Sequence, residues 1–389
     1  MVILFALKFF TFARKPVFMH LLKLSLFNFR NYPEISLEFS SKFNCFAGNN
    51  GTGKTNLLEA IYYLSFCKSF SNPTDTQNIM FGQDMFMIQG QYKVNGQEDE
   101  LYCGVKRQQR KVFKRNQKEY ERLSDHIGLY PLVLISPGDA QLILGGSDER
   151  RRFIDGVISQ YNHDYLHHLL NYNKALAQRN AMLKMFAERR KFDAASLEIY
   201  DELMIVHGQM IFEERKRFFD DFLPVFNKYY GVLSGGTERV NIEYQSTLIE
   251  SDFAQQVLEA RDKDLIAQYS TVGIHKDDLT FFIHDVPVKR YGSQGQQKSF
   301  LIALKLAQYT FTRDIKGFSP ILLFDDIFDK LDENRVEQLM TLVSNDTFGQ
   351  VFVTDTHLER LESLFKKIKA ESRIFSVEAG DISKVSTQH

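Results

Sequence analysis

Eight residues constrain this chain more than any others: Gly48-Asn49-Asn50-Gly51-Thr52-Gly53-Lys54-Thr55. They fit G-x-x-x-x-G-K-[ST], a pattern whose glycines let the backbone curl until its N–H groups face phosphate oxygens. The pattern gains its meaning from context. FNCFAG, an apolar segment, runs into the loop, and NLLEAIYYLSF (56–66) follows it with helical spacing. Strand, glycine loop and helix together read as a phosphate-binding loop rather than an ordinary glycine turn. The helix presents its positive N-terminal end to the phosphates. Lys54 is expected to reach the β and γ phosphates of ATP, and the Thr55 hydroxyl to ligate Mg²⁺.

Two later segments agree with that reading. Ile321-Leu322-Leu323-Phe324 is a buried-strand pattern that ends in Asp325 and Asp326. Asp325 is the expected metal residue, and Asp326 is placed to polarise an attacking water. Taken alone, the same pattern also fits a buried strand capped by surface acids. Ser293-Gln294-Gly295-Gln296-Gln297-Lys298-Ser299 opens a helix that leads to this strand. Ser293 and Gly295 at a helix start make an anion-binding surface. In ABC ATPases such a signature segment contacts the γ-phosphate held by a partner chain. The bland alternative is a plain helix cap.

The rest of the chain divides by pattern. Residues 21–47 alternate apolar and polar with period two, as do 85–122, and PLVLIS near 131 reads as another strand. Between 161 and 260 the spacing turns helical. Tyr161, Tyr165, Leu169 and Leu176 form one stripe, and Leu197, Tyr200, Leu203, Val206 and Met210 a second, both expected to pack in a core. Pro224 should end or kink the second helix. Strands return near Asp278, with LTFFIH and VPVKRYG, and QVFVTD is a further buried strand. The expected organisation is α/β. It comprises a start-site extension (1–18), an ATPase lobe with the phosphate loop (19–160), a helical lobe or arm (161–265) and the rest of the ATPase lobe (266–389).

Lys and Arg total 48 against 49 Asp and Glu, a formal net charge of −1. Any DNA contact must therefore come from a local basic patch. Lys106, Arg107, Arg110, Lys111, Lys114, Arg115 and Lys118 crowd one hairpin, with Phe113 and Tyr120 interleaved for stacking on bases. Arg150-Arg151-Arg152 is a second candidate, although Asp148 and Asp155 are close enough in sequence to pair with it. The three cysteines, Cys45, Cys67 and Cys103, form no C-x-x-C pair and read as free thiols. No apolar stretch reaches the length of a membrane span, so a cytoplasmic location is expected.

The motifs together resemble one family closely: RecF, bacterial ATPases of recombination and replication repair related to the heads of SMC proteins. The resemblance runs from about Leu22 to His357. It includes NFRNY (28–32), GNNGTGKTNLLEAIYYLS (48–65), ISPGDAQLILGG (135–146), RRFID (151–155), GIHKDDLTF (273–281), YGSQGQQKSFLIALKLAQ (291–308) and LLFDDIFDKLDENR (322–335). It implies an ABC-type head with a second helical lobe that hydrolyses ATP slowly, as a switch, and dimerises on ATP. It implies binding to single-stranded or gapped DNA, RecA loading through RecR, and support of the SOS response. Arg30 is implied to touch the nucleotide, Leu331-Asp332 to be the D-loop, and Asp139 and Gln141 to serve as lid or Q-loop. His357, after Thr356, is either a switch histidine or a solvated helix-start residue.

The competing reading is the nucleotide-binding subunit of an ABC transporter. That reading expects a shorter stretch between phosphate loop and signature segment. Here Thr55 and Ser293 lie 238 positions apart. An SMC-like tether would need long heptad runs, which are absent.

Overall fold

The structure, a computed structural model, describes residues 17–328, 333–378 and 380–388. Leu331-Asp332 and most of the 1–18 extension lie outside these. The chain opens with strands β1 (Val17–Phe29), β2 (Tyr32–Glu38) and β3 (Phe43–Ala47), and then helix α1 (Lys54–Phe66). Strands β4 (Met85–Val94), β5 (Gln97–Lys106), β6 (Val112–Arg115), β7 (Lys118–Glu119) and β8 (Leu132–Ile135) follow. Helices α2 (Ala140–Leu144), α3 (Ser147–Ser159), α4 (His163–Arg189) and α5 (Ala194–Ser234) come next, and then strand β9 (Val240–Gln245). Helices α6 (Phe253–Glu259) and α7 (Arg261–Ala267) precede strands β10 (Asp278–Ile283) and β11 (Val286–Pro287), and helices α8 (Val288–Tyr291) and α9 (Gln294–Lys316). Strands β12 (Phe318–Ser319) and β13 (Ile321–Phe324), helix α10 (Glu333–Ser344), strand β14 (Val351–Asp355), helix α11 (Leu358–Ile368) and strands β15 (Ser372–Glu378) and β16 (Asp381–Gln388) complete it.

Two sheets sandwich α1. One is a mainly antiparallel seven-stranded sheet in the order β12-β1-β4-β5-β6-β7, with β2 paired to β1. The other has six strands in the order β16-β15-β3-β14-β13-β8, parallel from β15 to β8. Both faces of the parallel sheet are covered, which is why its strands are continuously apolar. Ile321 and Leu323 face α1 and the first sheet, whereas Leu322 and Phe324 face the cluster shared with α9, α10 and α11. Cys45, Cys67 and Cys103 are all buried.

β1 begins at Val17, inside the segment read as an extension, because Val17 and Phe18 pair in parallel with Phe318 and Ser319. VPVKRYG is not a strand throughout. Its pairing stops at Pro287, which has no N–H for the ladder, and α8 starts at Val288.

The third core joins α3, α4, α5, α6, β9, β10 and the first half of α9. Tyr161, Leu169 and Leu176 pack against it and Tyr165 is buried in it. The second stripe is corrected: Leu203, Val206 and Met210 are 43%, 59% and 51% exposed. Leu197 of the stripe is buried as expected, and the inward face of α5 runs on from it through Asp201, Met204, Gly208, Ile211 and Arg215. Two of these are charged, so hydropathy cannot find the face. Asp201 is paired with buried Arg179 at 2.5 Å, and Arg215 with buried Asp277 at 2.7 Å. Such buried pairs are costly to break from one side. Pro224 neither ends α5 nor sits in the core. Its missing bond falls on an exposed face, where water can serve the free carbonyl. At 27 and 41 residues, α4 and α5 are about 40 and 60 Å long.

Candidate functional site

The phosphate loop joins β3 to α1. Gly53 stands at the helix start with φ +112, a region that only glycine enters cheaply. A Cβ there would lie 2.3 Å from Asn31 Nδ2, and one on Gly48 would lie 2.3 Å from the Val377 carbonyl oxygen. A Cβ on Gly51 would meet nothing. Gly48→Ala is therefore expected to displace the loop against a fixed backbone and lower nucleotide affinity about 5- to 150-fold, an overpacking penalty of about 1–3 kcal/mol. Gly51→Ala, strained only by its φ of +83, is expected to lose less. Titration of a fluorescent ATP analogue ranks the two, and equal losses would refute the steric account.

Lys54 is buried, and its ammonium donates to the Gly48 and Asn49 carbonyls at 2.7 and 2.8 Å. It thereby spans the loop from inside the curl. Thr52 Oγ1 donates to Asn49 O at 2.9 Å. The loop opens onto a cleft of about 390 Å³ whose lining includes Gly48, Asn49, Thr52, Thr356, Ser376 and Glu378.

Thr55 Oγ1 donates to Asp325 Oδ1 at 2.9 Å, so the two segments separated by most of the chain meet side chain to side chain. Thr354 completes the junction. Its hydroxyl donates to the same Asp325 oxygen at 2.9 Å and accepts the Asp326 N–H at 2.9 Å. Asp326 sits at φ +49, a left-handed conformation for a non-glycine residue, with its amide held there by Thr354. Burial pushes the Asp325 carboxyl above the usual carboxylate range, against the pull of the Thr354 and Thr55 hydroxyls. Thr354 carries no motif signal, because a threonine in a buried strand looks like any β-former. Only the parallel pairing of β13 with β14 puts it beside the acids.

NFRNY holds the loop from behind. Asn31 Nδ2 donates to Thr52 O at 3.0 Å, Tyr32 Oη to Gly53 O at 3.0 Å, and Asn56 Nδ2 to Asn31 Oδ1 at 2.7 Å. Sequence reasoning singled out Arg30 and missed these two neighbours. Arg30 occupies the two-residue β1–β2 turn at φ +56. Its guanidinium is turned to Ser71 Oγ, at 2.6 Å, and to the fully buried Glu59, at 3.2 Å.

The signature segment opens α9 with a reciprocal cap. Ser293 Oγ accepts the Gln296 N–H at 3.2 Å, and Gln296 Oε1 accepts the Ser293 N–H at 2.8 Å. Ser293, Gly295, Gln296, Ser299 and Arg335 line a cleft of about 400 Å³ that shares no lining residue with the phosphate-loop cleft. Arg335, at the far end of LLFDDIFDKLDENR, was not singled out from sequence; its Nη1 lies 3.5 Å from Ser299 Oγ.

Asp139 is occupied, with Lys305 at 2.7 Å and the Ser136 N–H at 2.8 Å, while Gln141 is exposed on α2. His357 caps the start of α11 with an exposed side chain, and its N–H bonds Asp355 Oδ1 at 2.8 Å. The basic hairpin is corrected in part. Phe113 is buried, tilted against His126 at 4.6 Å, so its ring is not free for a base, and the half-buried Tyr120 has its Oη bonded to the same histidine. Lys111 pairs with Asp75 at 2.8 Å and Arg115 with Asp99 at 2.9 Å. Arg150 pairs with Asp278, Arg151 with the Asp277 carbonyl, and Arg152 with Asp148, each at 2.6 Å.

A strand-loop-helix phosphate cradle on a parallel sheet, an acid-tipped strand one place removed from it in the same sheet and a separate capped signature helix define an ABC-type ATPase head. Comparison with Smc places the same fold there: an Smc head domain from Pyrococcus furiosus superposes with a TM-score of 0.56 at 18% identity over 95% of this chain and 96% of that one. The RecF/RecN/SMC N-terminal domain model matches residues 20–382. The DNA replication and repair protein RecF of Phocaeicola vulgatus is 50% identical over 368 residues, covering 94% of this chain and 98% of that relative. RecF of Flavobacterium johnsoniae is 49% identical over 92% of this chain and all 100% of its own length. A solved structure of the recombination mediator protein RecF-ATP in the RecFOR pathway superposes with a TM-score of 0.87 at 28% identity, covering 97% of this chain and 100% of that one. The chain belongs to the RecF family.

Among the described residues no helix is long and apolar enough to cross a membrane.

Proposed function

We propose that this chain is an ATP-gated DNA-binding protein of recombinational repair and replication, a slow ATPase that dimerises on ATP in the cytoplasm. The observation that carries the reading is the separation of two half-sites. The phosphate loop and the signature helix line different clefts. A nucleotide on the loop of one copy then needs the signature segment of another, so ATP bridges two chains.

The residues present fit ATP with Mg²⁺. Gly48 and Gly53 leave a cradle that a Cβ would fill. Thr55 and Asp325 form a hydroxyl–carboxylate pair of hard oxygen donors suited to Mg²⁺. Among the described residues no group of three or more His, Cys, Asp or Glu could cage an ion alone. The ion would therefore complete its shell with phosphate and water, and it supplies charge neutralisation on the phosphates. Gly48, Asn49, Asn50, Gly51, Thr52 and Gly53 offer the loop's backbone, and Lys54 its charge. Asp326 orients the attacking water and accepts its proton. Ser293, Gly295 and Arg335 meet the partner copy's γ-phosphate with the helix start and one cation. Arg30 reaches the nucleotide by giving up Ser71. In this reading the DNA is single-stranded or gapped, and RecR and RecA act downstream towards the SOS response.

Sedimentation of the chain with Mg²⁺, with and without ATP, each with and without a gapped duplex, tests the reading. ATP-dependent dimers that co-sediment with the DNA are expected. A monomer indifferent to both ligands would overturn ATP-gated dimerisation and DNA binding by the chain on its own.

A further inference from the structure

Phe81 is 100% exposed, at the tip of the turn that leads into β4. The turn is firmly anchored. The Met80 N–H donates to Asn28 O at 2.9 Å, the Gln83 N–H to Met80 O at 3.0 Å, and Gly82 takes the left-handed φ of +80. Beside it stands the β5–β6 turn, tied on by the Arg107 N–H to Asp84 O at 3.0 Å and by Arg107 Nε to Gln83 O at 3.4 Å. Lys106, Arg107 and Arg110 are exposed on that turn. Lys106 also lines a cleft of about 450 Å³ with Lys68, which is exposed on the loop after α1. The acid of this cleft, Asp75, is already matched by Lys111. The loop is pre-set from below, where Glu59 accepts the Ser69 and Ser71 hydroxyls and the Phe70 N–H.

We propose that the Phe81 turn, Arg107 bonded to it and the adjoining Lys68–Lys106 cleft form a site for unpaired nucleic acid, with Phe81 stacked on one base and the cations on the flanking phosphates. This rests on the DNA-binding reading above and adds the surface and the strand form it selects. The chemistry favours a nucleic acid over a protein. Protein hot spots centre on apolar pockets, whereas the Phe81 turn runs through Gly82, Gln83 and the acidic Asp84, with Arg107 bonded to the Gln83 and Asp84 carbonyls, so the ring stands among polar and charged groups. It favours an unpaired strand because a ring on a turn tip meets a free base face there, and in a duplex it would first have to unstack a pair. Phe113 of the hairpin cannot do this, since it is in the core.

The test uses the full chain with Mg²⁺ and ATP. One probe is a gapped duplex carrying 2-aminopurine as the first unpaired base, and the other an intact duplex of equal length. The wild type is expected to bind the gapped probe with a change in 2-aminopurine emission. Phe81→Leu is expected to bind it about tenfold more weakly, with the emission change lost and the intact duplex unaffected. Phe81→Trp is expected to restore both. Lys106→Glu with Arg107→Glu is expected to weaken both probes and flatten the salt dependence. If Phe81→Leu matches the wild type on the gapped probe, or weakens both probes equally, the inference is overturned. The first result would make Phe81 a candidate protein contact. If the folded wild type binds neither probe, the DNA-binding reading itself falls.

Discussion

Lys54→Ala is expected to lower ATP affinity by about 10- to 100-fold, the loss of one charge-assisted phosphate contact worth about 1.5–3 kcal/mol. The geometry explains why no neighbour substitutes. Lys54 is the cation inside the loop, fixed between the Gly48 and Asn49 carbonyls at 2.7 and 2.8 Å. Its stem is buried, so its charge is placed before the nucleotide arrives. Lys54→Arg is not expected to rescue, because a planar fork replaces a compact point charge in a closed curl. Calorimetric titration with ATP and Mg²⁺ measures the loss. Unchanged affinity would remove Lys54 from its role.

Asp326→Asn is expected to slow ATP hydrolysis by about 100-fold or more, the ordinary share of a general base, while the ATP-bound dimer persists. The substitution isolates chemistry from structure. Asparagine tolerates the left-handed backbone as readily as aspartate, and the Thr354 contact is made by the Asp326 amide rather than by its side chain. Phosphate release and sedimentation should be read on the same sample. A dimer that fails to form would make Asp326 structural, and undiminished turnover would pass the base to another group.

Some of this was legible before the fold. The phosphate loop, the acid-tipped strand and the capped signature helix are local statements. Each needs only the residue types within a few positions, because glycine torsions, strand alternation and helix caps are short-range physics. The continuous apolar run Ile321–Phe324 likewise reports a strand buried on both faces, as the two clusters on either side of it show.

The misreadings also share a cause. Leu203, Val206 and Met210 look like a core stripe, but the inward face of α5 is set by Asp201 and Arg215, whose partners Arg179 and Asp277 lie on other elements. Phe113 and Tyr120 look available for stacking until the fold buries Phe113 and sets His126 against both rings. A charged residue reads as solvated, and an aromatic one as free, whenever its partner is distant in sequence.

What the sequence alone determined was therefore the chemistry on offer: a phosphate cradle, a hydroxyl, two acids and an anion-binding helix start. Tertiary structure decided which groups act together. Thr55 and Asp325 are 270 positions apart and 2.9 Å apart in space. Thr354 joins them only through the pairing of two parallel strands, and the signature helix opens onto a different cleft from the loop. Hydrogen bonds and ion pairs act over a few ångströms, whereas sequence patterns report only neighbours along the chain, so the contacts that assemble the site had to come from the fold.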